Sequence, residues 1–180
     1  DVVLDIQHLT VIGAKKIPAV NDFSLQVRKG EIVGIAGVDG NGQSELVHAL
    51  SGLMPVAAGT VMLCGKDITK TSIRERSEAG MGVVPEDRQK HGLVMQYTIA
   101  ENTIIKSYYK EPFQKHGFLH KNKMFSFAGA ITKQFDVRSG EGVYSAARNL
   151  SGGNQQKAIL GREIALDPEL LIAVQPTRGL

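Results

Sequence analysis

Residues 37–46 read GVDGNGQSEL, and the fold turns on how that stretch is understood. Gly37, Gly40 and Gly42 fall close together, and a hydroxyl, Ser44, follows them. Just before, EIVGIAG (31–37) is a continuous apolar run of the kind a strand covered on both faces carries. Just after, Leu46, Val47, Leu50 and Leu53 recur at helical spacing. Strand, glycine loop, helix is the context of a phosphate-binding loop, where backbone N–H groups and the positive end of a helix surround an anion. The pattern G-x-x-x-x-G-K-[ST] asks for lysine where this chain has Gln43, which donates a hydrogen bond but carries no charge. A charge-assisted hydrogen bond contributes about 1.5–3 kcal/mol against about 1 for a neutral one, so the loop is expected to hold phosphate weakly. By itself the stretch is equally a tight strand-to-helix turn.

The surrounding chain extends this reading into an α/β domain. FSLQV (23–27) alternates Phe23, Leu25 and Val27 against Ser24 and Gln26, the period of a half-buried strand, and Lys29 and Gly30 turn the chain after it. GTVMLCGKDI (59–68) predicts a short strand and a turn, and GMGVVPEDR (80–88) a buried strand ending at Pro85. From Thr98 the pattern becomes helical as far as about Phe135, opening on a capping box of Thr98 and Glu101. After a loop rich in Gly and Ser, NLSGGNQQKAILGREIAL (149–166) predicts a further helix, and ELLIAVQP (169–176) a buried strand.

Composition narrows the function classes. The chain has 180 residues, about one domain, with 42% hydrophobic and 22% charged residues. A net charge of +3 suits phosphate or an acidic surface. No long basic run or interleaved aromatics accompany it, so nucleic acid is not an expected partner. Five scattered histidines lack metal-ligand spacing. The single cysteine, Cys64, excludes an internal disulfide and fits a reducing compartment; flanked by apolar residues, it is expected to be buried and inert. Neither a signal peptide nor an apolar run of membrane-spanning length is present. The chain opens without methionine inside an apolar stretch, so a fragment of something longer is expected.

A second motif decides between cradle and turn. LSGGNQQK (150–157) closely resembles the signature of the ATP-binding-cassette (ABC) ATPases. PEDR with Gly92 and Leu93, the signature, and PTRG (176–179) occur together in the same order in the tandem-cassette subunits of bacterial sugar and nucleoside importers. The resemblance spans essentially the whole chain and is strongest with the second, C-terminal cassette of the nucleoside branch. It implies an α/β fold: an ABC-type phosphate-loop ATPase core with an antiparallel β subdomain and an inserted α-helical subdomain. On this view residues 1–180 form one nucleotide-binding domain, cut after the strand of its acidic motif, with the helical subdomain at about 98–165.

The resemblance also assigns roles. Gly37, Val38, Asp39, Gly40, Asn41, Gly42, Gln43, Ser44 and Glu45 would line the phosphates of ATP, with the Ser44 hydroxyl on Mg²⁺. Glu86 stands at the γ-phosphate-sensing position, where many cassettes have glutamine. The family's second motif ends Asp-Glu, for metal and base; Val174 and Gln175 align there, and neither does that chemistry. Loss of a general base costs about 10²–10⁴ in rate. No aromatic lies near 11–17 to stack on adenine. ATP and Mg²⁺ are therefore expected to bind weakly and the domain's own site to be weak or inactive. In this family cassettes pair head to tail, so Leu150, Ser151, Gly152, Gly153, Asn154 and Gln155 are expected to complete the ATP site of a second, competent cassette, expected in the same chain. Transmembrane permease subunits, contacted by the insert and the 85–93 loop, a solute-binding protein acting indirectly, and a peripheral place on the cytoplasmic face of the membrane complete the expectation. A non-transport ABC ATPase, regulatory or nucleic-acid-associated, is the alternative; an unrelated phosphate-loop kinase or GTPase would have to ignore the signature.

Overall fold

Apolar alternation produces the first sheet. Strands β1 (Val2–Ile12) and β2 (Pro18–Arg28) pair antiparallel, burying Leu4, Ile6, Leu9, Val11 and Val27. Strand β3 (Ala58–Leu63) joins the other side of β1, and the short β4 (Lys66–Asp67) returns along it, giving the order β2-β1-β3-β4. The computed structural model describes residues 1–180, which divide into two compact units, Asp1–Met81 and Gly82–Leu180.

In the first unit, helix α1 (Gln43–Ser51) lies on β1 and β2 and turns Leu46, Ala49 and Leu50 inward. Its far end is held by a residue whose role local pattern does not announce. Arg76, on α2 (Ile73–Glu78), is buried, and its Nη1 donates to the carbonyls of Ala49 and Leu50 at 2.6 and 2.7 Å. Its other nitrogens donate to Thr69 O and Thr71 O. A cation on the last carbonyls of a helix is favourable both as a cap and against the helix dipole. Burial pulls the guanidinium below its ordinary pKa.

Two expectations fail in this unit. Cys64 is exposed. With Gly65 it forms the two-residue turn between β3 and β4, and both residues have positive φ, 48° and 77°, as a tight hairpin turn requires. The turn points the thiol outward whatever its flanking residues. Residues 31–37 form no strand and are exposed, Ile32 to 98%. An apolar run becomes a doubly covered strand only where neighbours supply both hydrogen-bond ladders; the sheet ends in β2 and β4, and neither pairs with this run.

In the second unit, β5 (Met81–Val84) pairs with β8 (Leu170–Ala173). Strand β8 is not fully buried as expected: with one neighbour, it leaves Leu171 and Ala173 exposed. Helices α3 (Ile99–Ile104), α4 (Lys121–Gln134) and α5 (Gly152–Ala165) pack on one another. Ala100, Ile104, Phe113, Met124 and Ala128 form one apolar cluster, and Ile99, Val137, Leu150 and Ala158 another. The capping box at the start of α3 is present as read, with Glu101 N donating to Thr98 Oγ1 and Thr98 N to Glu101 Oε2. A small hairpin, β6 (Gln114–Lys115) and β7 (Phe118–Leu119), interrupts the helical region; nothing in QKHGFL alternates strongly enough to predict it.

Candidate functional site

The glycine loop is built for close approach. Gly40 and Gly42 have φ of 89° and 86°, a region that favours glycine. A Cβ on Gly42 would run into the carbonyl of Ala19, so no other residue fits where the loop meets the start of β2. Gly42 caps α1 without a side-chain hydrogen bond, leaving the first N–H groups of the helix open. Val38, Asp39, Gly40, Asn41 and Ser44 are exposed. The Gln43 side chain folds back over Gly37, with Nε2 2.6 Å from where a Cβ on that glycine would stand. Glu45, in the first turn of α1, adds negative charge beside the open N–H groups. Glycines, open N–H groups and exposure fit a phosphate; Gln43 adds no positive charge to them, and Glu45 adds a negative one.

In the second unit, Val174 N donates to Val84 O at 2.9 Å, which brings Gln175 beside Glu86. Gln175 Nε2 donates to Glu86 Oε1 at 3.4 Å, and the Arg178 guanidinium lies 3.9 Å from the same oxygen. Gln175 and Glu86 are both exposed. Val174 offers no metal ligand, and the Gln175 carboxamide accepts no proton at neutral pH.

The signature divides into a presented part and an anchoring part. Ser151 is exposed and caps α5, its Oγ accepting from Asn154 N at 3.4 Å and from Asn154 Nδ2 at 3.0 Å. Gly152 and Gly153 are partly open beside it, and Leu150 is buried. The next residues hold the helix in place. Asn154 Oδ1 accepts from Arg138 N at 2.9 Å. Gln155, only 2% exposed, donates to Ala147 O and Leu150 O, so its side chain is committed within the chain. Gln156 donates to Pro176 O at 3.0 Å. Lys157 binds Asp136, whose carboxyl is held below its usual range by hydrogen bonds from Arg138 and then Lys157.

Three internal contacts around these residues escape sequence reasoning. The Arg88 guanidinium donates to Arg178 O at 2.8 Å, and its Nη2 lies 2.7 Å from where a Cβ on Gly152 would stand. Arg88 is therefore an internal strut between the 85–93 loop, the start of α5 and the 176–179 turn. A Cβ on Gly153 would lie 2.6 Å from Gly179 O, so the chain itself requires glycine there. Glu163 is fully buried, accepting from Val83 N at 3.1 Å, Lys106 Nζ at 2.7 Å and Arg162 Nε at 2.9 Å. Arg162 Nη1 donates on to Gly92 O at 2.8 Å. The signal for this last group was available: Gln155, Ile159, Arg162 and Glu163 share helical spacing, which puts both charges on the buried face of α5.

Comparison with solved proteins defines the class first. Over 98% of this chain and 75% of the other, the structure superposes with TM-score 0.80 on a dimeric structure of a post-hydrolysis state of the ATP-binding cassette MJ0796 bound to ADP and Pi, at 22% identity. A nucleotide-free ATP-binding cassette from an ABC transporter gives TM-score 0.75, again at 22% identity, over 98% of this chain and 70% of the other. The fold is that of ABC ATPase cassettes, the α/β phosphate-loop class. The sequence model of the ABC transporter family matches residues 20–178, and the chain belongs to that family. It is 53% identical over 178 residues to the guanosine import ATP-binding protein NupO of Bacillus subtilis, covering 99% of this chain and 35% of that protein. To the nucleoside import ATP-binding protein NupA of Lactococcus lactis it is 52% identical over 180 residues, covering 100% and 35%. The glucose import ATP-binding protein TsgD13 of Haloferax volcanii is 41% identical over 99% of this chain and 32% of that protein. The chain thus spans about a third of the length of these curated relatives. No helix is long and apolar enough to cross a membrane.

Proposed function

We propose that this chain is a nucleotide-binding domain of a nucleoside or sugar importer, acting as the second cassette of a tandem subunit, and that its main contribution is the signature it offers to a competent partner cassette. Residues 1–180 act as one such domain, with the helical subdomain at about 98–165. The observation that carries the reading is a contrast. Ser151, Gly152 and Gly153 are presented and firmly mounted, whereas Gln43, Val174 and Gln175 lack the charge, metal ligand and base of nucleotide hydrolysis.

When bound, ATP with Mg²⁺ supplies the phosphoanhydride whose cleavage drives transport. In this chain Gly37, Val38, Asp39, Gly40, Asn41, Gly42, Gln43, Ser44 and Glu45 would surround its phosphates, with Ser44 alone reaching the metal, so both bind weakly. Glu86 takes the sensing position beside Gln175. The Ser151 hydroxyl and the N–H groups at the start of α5 face the partner's nucleotide. Permease subunits, a solute-binding protein acting through them, and a peripheral position on the cytoplasmic face of the membrane follow from the same reading.

Ser151→Asn tests it. Asparagine is a good helix cap, so α5 stays capped while the serine hydroxyl is removed. In the full-length subunit assembled with its permease, ATPase activity should fall at least tenfold. Nucleotide affinity of this chain alone should stay within about twofold. Unchanged ATPase activity would show that this signature completes no working site.

A further inference from the structure

A surface that neither the loop nor the signature uses lies on the β6–β7 hairpin. Residues 115–123, KHGFLHKNK, are all exposed. They include Lys115, Lys121 and Lys123, two histidines, Phe118 and Leu119, and no acidic residue. Phe118 is 78% exposed and Leu119 51%. An apolar tip of this kind could be a loop that merely failed to bury, but the base of this one is firmly built. Phe113 is buried in the α3–α4 cluster with its ring 5.0 Å from that of Phe127. Gln114 Nε2 donates to Tyr109 O at 2.9 Å, and its Oε1 accepts from Gly117 N at 3.0 Å. His120 N donates to Phe113 O at 2.7 Å. The register sets Lys115 opposite Phe118, so a cation and an exposed ring stand side by side on one face.

The charges also run against local stability. Lys121 and Lys123 open α4, where the helix dipole disfavours cations, and neither an acidic residue in the first turn nor a side-chain cap relieves them. Cations placed where their own helix opposes them, a few residues after an exposed ring, match an anionic partner outside the chain.

We propose that this hairpin docks on an anionic lipid bilayer, with Phe118 and Leu119 entering the interface and Lys115, Lys121 and Lys123 meeting headgroup phosphates. The shape selects a bilayer over a protein partner. Docking of a partner helix needs a groove that receives anchors at helical spacing. This hairpin offers no groove: just past its two-residue turn, His116 and Gly117, Phe118 is exposed on one face of β7 and Leu119 on the other, a form suited to a soft interface. Aromatic side chains at headgroup depth with lysines beside them are the ordinary interfacial combination.

The test is co-sedimentation of the 180-residue chain with lipid vesicles. Each lysine near an anionic surface strengthens partitioning roughly fivefold, so the three together give about a hundredfold. The chain should sediment with vesicles containing phosphatidylglycerol, not with phosphatidylcholine alone, and added salt should release it. The triple variant Lys115→Glu, Lys121→Glu, Lys123→Glu should lose binding. Phe118→Ser with Leu119→Ser should weaken it at least tenfold while keeping the salt dependence. All these positions are exposed, and an unchanged urea midpoint confirms that the variants fold. Equal binding to neutral vesicles, absence of binding to anionic ones, or variants that bind like the parent chain would overturn the proposal. So would retention by the detergent-solubilised permease through these same residues without vesicle binding, which would assign the tip to a protein partner. The importer reading does not depend on this surface and survives its failure.

Discussion

Gln43 and Gly153 show how a single residue's chemistry and its surroundings can point in different directions. At position 153 the absence of a side chain suits phosphate approach, yet the Gly179 carbonyl already fills the space a Cβ would need. Any larger residue there disturbs the 176–179 turn as well as the presented surface, so activity loss in a Gly153 variant has two causes. Ser151, whose capping role asparagine can fill, separates them. At position 43 the side chain lies across Gly37, inside the loop. Gln43→Lys should therefore place an ammonium group within the cradle without rebuilding it. The gain from a neutral to a charge-assisted hydrogen bond, about 1–1.5 kcal/mol, corresponds to roughly tenfold tighter ATP binding. Titration of this chain with a fluorescent ATP analogue, with and without the substitution, measures it; no change in affinity would mean that the loop does not receive phosphate.

At the scale of elements, the legible parts of the chain are those whose cause is local. The Thr98–Glu101 capping box and the alternation of Phe23, Leu25 and Val27 each depend on residues a few positions apart, and each is present. What was not legible depends mostly on distant partners. The exposure of 31–37 follows from which strands pair, and the strut at Arg88 from a carbonyl ninety residues away at Arg178. Cys64 is the local exception, where turn geometry overrides the apolar flanks. The buried Glu163 group is the strongest such case, since it ties β5, the 85–93 loop, α3 and α5 together. Its Lys106 partner titrates below the ordinary lysine range because burial opposes the charge more than Glu163 restores it. Breaking a buried ion pair by removing one partner costs about 3–5 kcal/mol. Lys106 is partly open, and Arg162 remains to serve Glu163, so Lys106→Met should cost about 3 kcal/mol, the lower end of that range. Urea denaturation followed by circular dichroism gives the value; a loss within 0.5 kcal/mol, roughly that of an ordinary surface substitution, would reduce this group to a passive one.

For the molecule as a whole, the proposed function assigns three departures from a working nucleotide site to different parts of the chain: Gln43 lies in Asp1–Met81, and Val174 and Gln175 lie in Gly82–Leu180. On that reading each removes a different requirement: Gln43 the charge that steadies phosphate, Val174 the oxygen that holds a metal, and Gln175 the group that takes a proton from water. Binding and turnover should therefore respond separately to repair. The unaltered chain should release phosphate from Mg-ATP far below the roughly 10 s⁻¹ typical of enzymes. Gln43→Lys should tighten binding and leave that rate low, because a general base alone is worth about 10²–10⁴ in rate and remains absent. Restoring the base with Gln175→Glu without a metal ligand should also fail, since a carboxylate orients water only toward a phosphate whose charge is already neutralised. Only Gln43→Lys, Val174→Asp and Gln175→Glu together, in the full-length subunit with its permease, should produce hydrolysis at this site. The competent cassette that the proposed function pairs with this one must be silenced in that assay so that its own turnover does not mask the result. Normal phosphate release from Gln43→Lys alone would show that Val174 and Gln175, just after β8, do not stand at the acidic motif, and the assignment of both positions would have to be abandoned.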